Sequence, residues 1–129
     1  MKYIYTAVLT PDPEGGYFCS VPDIPHCVTS GIDLPDALAM IEDAATLMLL
    51  TFEDDQLPIP APSDPTSVPV PQGAFSTLLV LDTDLYRKTY DTAPVRKSVS
   101  IPAWMDRQAR QRGISCSQVL QDSLRALLA

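Results

Sequence analysis

Few side chains in this sequence have both the type and the spacing to do chemistry. His26 is the single histidine and lies between Pro25 and Cys27 in a tight turn, with no serine motif around it. A surface turn residue touching a partner fits it better than the base of a Ser–His–Asp site. Cys19, Cys27 and Cys116 lack the short paired spacing of structural zinc, and burial is the default for a free thiol. Neither a metal nor any other cofactor is expected. Cys19 and Cys27 are expected to face one another across adjacent strands. The more informative group is Arg96, Ser98 and Ser100, which alternate with Val95, Lys97, Val99 and Ile101. Along a strand, alternate residues share a face. One face then holds Val95, Val99, Ile101 and the aliphatic stem of Lys97, and the other a guanidinium and two hydroxyls. Arginine reads guanine edges and serine adapts to several bases, so the chemistry offered is recognition of DNA. The plain alternative is an edge strand decorated with charge.

A strand needs a partner, and the elements after Val95 indicate one. Pro102 ends the strand and opens a helix at its favoured early position. That helix runs through Trp104, Met105 and Ala109 to Arg112, and Gly113 is the expected left-handed stop. Ser115 caps a second helix with Val119, Leu120, Leu124, Leu127 and Leu128 on one stripe. About 35 residues is too little to support a core alone. A two-fold dimer solves this by pairing the strands between protomers and interlocking the helices beneath. The outward face of the paired ribbon displays Arg96, Ser98 and Ser100 twice and fits a major groove. The Ser115-capped helix start, with the N–H groups of Cys116 and Ser117, can hold a phosphate.

Charge divides the chain the same way. Residues 1–86 hold 13 acids and one base, Lys2, a net of −12, and residues 87–129 hold 8 bases and 3 acids, a net of +5. A basic tail on an acidic body implies two modules with different partners: phosphate for one, a basic protein for the other. The length of 129 residues allows one domain or two small ones, and 46% hydrophobic content fits a folded chain. No apolar run approaches the roughly 20 residues that span a bilayer. The alternating start from Met1 to Thr6 lacks a signal-peptide block. Three cysteines cannot all pair within one chain, so a cytoplasmic location is expected and membrane residence is not.

The acidic module reads as an α+β domain of order βββαβ. Strands are expected over Lys2–Thr10 and Tyr17–Val21, a hairpin turning at Pro11 to Gly16, and over Cys27–Thr29. Asp33, Pro35 and Asp36 have the grammar of a helix start. Leu38, Ile41, Ala45, Met48 and Leu49 carry an amphipathic stripe on to Phe52. Glu53, Asp54 and Asp55 oppose the dipole and mark its stop. Six prolines between Leu57 and Pro71 exclude a regular helix or a central strand there and favour an extended, partly docked arm over a disordered linker. Leu57, Ile59, Val68 and Val70 are expected to anchor this arm to the surface. A last strand, Thr77–Leu81, leads into a polar connection, Asp82–Pro94.

Val95–Ala129 resembles the ribbon-helix-helix DNA-binding domain, through its strand alternation, Ile101-Pro102, Gly113-Ile114-Ser115 and Ser117. The first module resembles the N-terminal domain of HicB-type antitoxins, the antitoxins of type II toxin–antitoxin systems. The residues that carry this are Gly15-Gly16-Tyr17-Phe18, Val21-Pro22-Asp23-Ile24-Pro25-His26-Cys27, Thr29-Ser30-Gly31 and Leu34-Pro35-Asp36-Ala37. Two departures are His26, where the family usually has glycine, and the proline-rich arm.

The resemblance implies a partial RNase H-like domain over 1–82 that binds and blocks a HicA-type mRNA-cleaving toxin. It also implies a linker over 83–94 and a dimeric ribbon-helix-helix domain over 95–129 that binds operator double-stranded DNA and represses the operon. The family assembles as dimers, often dimers of dimers. Tyr17, Phe18, His26 and the proline-rich arm are the expected toxin contacts. An RNase H-like fold also raises a nuclease, which needs carboxylates converging on two cations about 3.5–4 Å apart. The strand from Tyr3 to Leu9 has none, and Asp23, Asp36, Glu42 and Asp43 are scattered over turns and helix. The expectation is an antitoxin and autorepressor without catalytic activity. The alternative from another class is a ligand-responsive repressor whose first module senses a small molecule.

Overall fold

The computed structural model describes residues 1–90 and 92–129, in two compact units, Met1–Ala93 and Pro94–Ala129. In the first, β1 (Lys2–Pro11), β2 (Tyr17–Ser20), β3 (Val28–Gly31) and β4 (Phe75–Asp82) form an antiparallel sheet of order β3-β2-β1-β4. The helix α1 (Leu34–Asp54) covers one face. The core lies between them: Tyr5, Ala7, Leu9, Cys19, Leu79 and Leu81 of the sheet meet Ala37, Ile41, Ala45 and Leu49 of the helix. The α+β class and the βββαβ order hold.

Local chemistry sets the entry to α1. Asp33 is its N-cap and accepts from the Asp36 N–H at 2.9 Å, with Pro35 in the first turn. The Asp36 carboxylate in turn accepts from the Ile32 N–H at 2.9 Å. β3 passes so close to this turn that a Cβ on Gly31 would lie 2.3 Å from the Ala37 nitrogen. Only a hydrogen fits there.

Four expectations need correction. Asp82–Pro94 is not a polar connection throughout, because Thr83–Tyr90 folds as α2. Asp82 caps it, accepting from the Leu85 N–H at 3.0 Å, and Arg87 in its last turn reaches Glu53 at 3.2 Å and Asp54 at 2.9 Å. The acids that end α1 unfavourably are thus neutralised by a cation from the next helix. Cys19 pairs across the ladder with Thr29, not Cys27; Cys27 sits in the turn before β3, its N–H donated to the Ile24 carbonyl at 3.2 Å. Of the four arm anchors, Ile59 and Val68 pack while Leu57 and Val70 stay exposed. The arm is also tied by the Tyr5 hydroxyl donating to the Pro60 carbonyl, and by Ser63 donating to Asp23 at 2.6 and 2.7 Å.

The fourth correction falls in the second unit. Val95–Pro102 forms no strand within the single chain, since a ladder requires a second edge and this unit offers only helices. α3 (Ala103–Gln111) and α4 (Cys116–Leu128) follow. Gly113 between them has φ +67°, the left-handed stop expected of it. Ser115 caps α4, accepting from the Gln118 N–H at 3.2 Å.

Candidate functional site

The face of the sheet away from α1 carries the first candidate surface. Alternation sends Ile4, Thr6 and Val8 of β1, Phe18 and Ser20 of β2, and Leu78 and Val80 of β4 to this side. The register sets Ile4 opposite Val80, Thr6 opposite Leu78, and Thr10 opposite Phe18. Ile4, Phe18, Val28, Leu78 and Val80 are all exposed on it, an apolar patch, while Thr6 and Val8 of the central β1 are buried between them. A shallow cleft of about 460 Å³ is lined here by Val8, Thr10, Phe18, Ser20, Val28 and Ser30. The hydroxyl of Thr6, whose residue is only 4% exposed, has no hydrogen-bond partner among the described residues.

Of the expected contacts of this module, Tyr17 and Phe18 fall on opposite faces of β2. Phe18 stands on the open face. Its neighbour Tyr17 points to the opposite face, packing on the core and meeting Phe75 edge-on, with centroids 6.1 Å apart. His26 is exposed in the turn before β3 with φ +61°, the region glycine enters without strain. A glycine here would take the same backbone without strain. Sequence reasoning missed Ile4, Leu78 and Val80. The signal was available, because an unbroken Leu78-Leu79-Val80-Leu81 run supplies apolar residues to both faces of a strand.

Beneath the opposite face a polar cluster ties β1, α1 and α2 together. The Glu53 carboxylate accepts from the Tyr3 hydroxyl at 2.8 Å, the Thr83 hydroxyl at 3.0 Å and Arg87 at 3.2 Å. Burial alone raises the Glu53 pKa, but the bonds from Tyr3, Thr83 and Arg87, with the Arg87 charge, outweigh it and hold the carboxyl below its usual range. Tyr3 is pushed up to about 12, first by burial and then by donation to Glu53. Burial also raises the Cys19 and Cys27 thiols, which suits packing and not nucleophilic attack. Among the described residues no three His, Cys, Asp or Glu side chains gather as a metal site.

In the second unit Arg96, Ser98 and Ser100 are exposed side chains ahead of α3. The Ser115 hydroxyl is committed to its cap, while Cys116 and Ser117 are exposed in the first turn of α4, where no acid competes for an anion. No residue of α3 or α4 is buried, and Val119, Leu120, Leu124, Leu127 and Leu128 are all exposed. No helix of the described residues is long and apolar enough to cross a membrane.

Comparison with known proteins agrees with this architecture. Antitoxin HicB 1 of Photorhabdus laumondii is 41% identical over 86 residues, covering 65% of this chain and 56% of that protein. Antitoxin HicB of Escherichia coli K12 is 39% identical over 82 residues, covering 60% of this chain and 59% of that protein. The chain thus spans less than two thirds of these relatives. A chain of a toxin–antitoxin complex from Streptococcus pneumoniae shares the fold, with a TM-score of 0.64 at 23% identity over 98% of this chain and 99% of that one. The family model described as the HicB-like antitoxin of bacterial toxin–antitoxin systems matches residues 5–123, across both units, and the chain belongs to that family.

Proposed function

We propose that this chain is the antitoxin of a type II pair. It neutralises a HicA-type mRNA-cleaving toxin by direct binding, represses its own operon by sequence-specific DNA binding, and has no catalytic activity of its own. The observation that carries this is the family match over residues 5–123. In this reading residues 1–82 are a partial RNase H-like domain, extended by α2, and residues 95–129 a ribbon-helix-helix domain. Neutralisation works by occlusion: an acidic body with an uncovered apolar sheet face suits a basic, RNA-binding toxin. Phe18 is the contact best placed for it, with His26 at the rim and Tyr17 as support from below.

DNA binding rests on the second unit. Its apolar stripe is uncovered in one copy, so a homodimer is the economical way to bury it. Strand pairing about the dimer axis would then supply the partner that Val95–Pro102 lacks and turn Arg96, Ser98 and Ser100 to a major groove. Cys116 and Ser117 N–H groups, oriented by the Ser115 cap, would hold a backbone phosphate. Two measurements test the proposal on the full chain. Co-expression should rescue growth from a HicA-type toxin, and a gel shift should show Arg96→Ala with Ser98→Ala losing operator binding while rescue persists. Unchanged DNA affinity in that double variant refutes the ribbon assignment, and failure to rescue refutes neutralisation.

A further inference from the structure

β4 is an open margin of the sheet. It pairs with β1 over eight consecutive registers, from Lys2 opposite Asp82 to Leu9 opposite Phe75, and no described strand pairs with its other side. Proteins usually blunt such an edge with lysine, proline, a bulge or short length. The eight residues of β4 carry no lysine, no proline and no break in register, whereas β3 at the other margin has four residues. Leu78 and Val80, 53% and 57% exposed, project from this edge strand onto the open face. The buried hydroxyl of Thr6, unpartnered among the described residues, lies opposite Leu78 on the same face.

A cleft of about 350 Å³ lies beside the same strand. Val80 faces away from α1, since Leu79 and Leu81 on either side of it are buried beneath that helix. Yet the cleft is lined by Val80 together with Glu42 and Asp43 of α1 and Tyr86 and Tyr90 of α2. The cleft therefore borders β4 at Val80 and Asp82, beside α1 and α2. Glu42, Asp43 and Asp82 contribute three carboxylates to it, none of them in an ion pair among the described residues. The Tyr86 and Tyr90 ring centroids lie 4.5 Å apart beside them, and the Tyr86 hydroxyl donates to Asp43 at 3.3 Å. Carboxylates next to aromatic faces are the surroundings a guanidinium or ammonium seeks.

We propose that β4 is a strand-addition site for an extended, arginine- or lysine-bearing segment of a basic protein partner. Main-chain bonds to the free edge hold the segment, its apolar side chains cover Leu78 and Val80, and its cation enters the cleft between Glu42, Asp43 and Tyr86. This rests on the toxin-binding reading above and names the surface that reading uses. A basic partner, not a second copy, is the occupant because two bodies of net charge −12 repel one another at this edge.

The test is amide hydrogen exchange of the full chain, alone and with a HicA-type toxin, alongside calorimetric titration of variants. Amides of Phe75–Asp82 should slow at least about tenfold in the complex while those of β3 do not. Glu42→Lys with Asp43→Lys, and separately Val80→Lys, should weaken toxin binding about thirtyfold with melting unchanged. The exchange measurement stands by itself if a variant fails to fold. A wild-type chain that binds no toxin overturns the neutralisation reading itself. Toxin binding with β4 unprotected and the variants unaffected overturns the strand-addition site alone. Protection of β4 that rises with chain concentration in the absence of toxin gives the edge to a second copy and also overturns the proposal.

Discussion

Replacing Glu53 by glutamine isolates the interaction that fastens α2 to the body. The carboxylate accepts three bonds, from Tyr3, Thr83 and Arg87, and its side chain is 22% exposed. Glutamine keeps the shape, but one end of its amide donates and must face a donor. One charge-assisted bond to Arg87 is lost, worth about 1.5–3 kcal/mol, less whatever relief comes from no longer burying a charge. A net loss of about 2 kcal/mol lowers the melting point of a unit this size by about 8–16 °C. All five tyrosines lie in Met1–Ala93 and Trp104 in the other unit, so tyrosine near-UV dichroism on the full chain reports the relevant transition. The pH dependence gives a second handle. The folded Glu53 pKa is depressed, so its stabilisation is present above the unfolded value of about 4.3 and disappears as pH falls through the folded one. The gap between wild type and Glu53→Gln should be full at neutral pH and close in acid. Tyr3 works in the opposite range: with its pKa raised to about 12, its contribution is intact below about pH 10 and fades as pH climbs toward the folded value. In the variant Tyr3 should ionise earlier by ultraviolet titration. A gap below about 0.5 kcal/mol at neutral pH, or one that does not narrow in acid, refutes the account.

Gly31→Ala should destabilise the first unit by about 3 kcal/mol or prevent its folding, because the new Cβ would meet the Ala37 nitrogen at 2.3 Å and its Cα at 2.4 Å; denaturant unfolding within about 0.5 kcal/mol of wild type refutes the contact. His26→Gly should raise stability by up to about 1 kcal/mol by relieving the left-handed backbone at φ +61°, and a thermal melt showing a fall instead means the imidazole holds the turn. Leu124→Lys should convert a dimer to monomer in sedimentation and abolish operator binding while toxin binding persists; an unchanged sedimentation coefficient means the α4 stripe is covered in some other way.

The parts of the fold legible in the sequence were those written in short-range chemistry. Asp33, Pro35 and Asp36 start α1, Gly113 stops α3 and Ser115 starts α4, each through a bond or dihedral closed within about four residues. What escaped depends on contacts distant in sequence. α2 is short and polar, and it is held by Arg87 reaching back more than thirty positions to Glu53 and Asp54. From the sequence those acids look only like a bad helix end, and the cation that makes them useful looks like part of a basic tail. For Tyr17 and Phe18 the rule is local: adjacent residues on a strand take opposite faces, which puts Phe18 on the open side of β2 and Tyr17 on the core side.

The two units place the same kind of surface in opposite circumstances, and this bears on how they act. Met1–Ala93 completes a core and still leaves an apolar sheet face and the β4 edge over. Removing that surplus by substitution should leave the unit folded, which is the mark of a surface kept for another molecule. Pro94–Ala129 buries no residue of α3 or α4. On the proposed reading its apolar stripe is needed for folding first, and association is tied to structure, because Val95–Pro102 gains a ladder only from a second edge. If the proposed reading holds, partner binding at the first unit should be removable without disturbing the fold, whereas DNA recognition by Arg96, Ser98 and Ser100 should fail together with assembly. Variants of the two units should therefore separate cleanly: toxin-binding lesions that leave the operator complex intact, and stripe lesions that remove it while neutralisation continues.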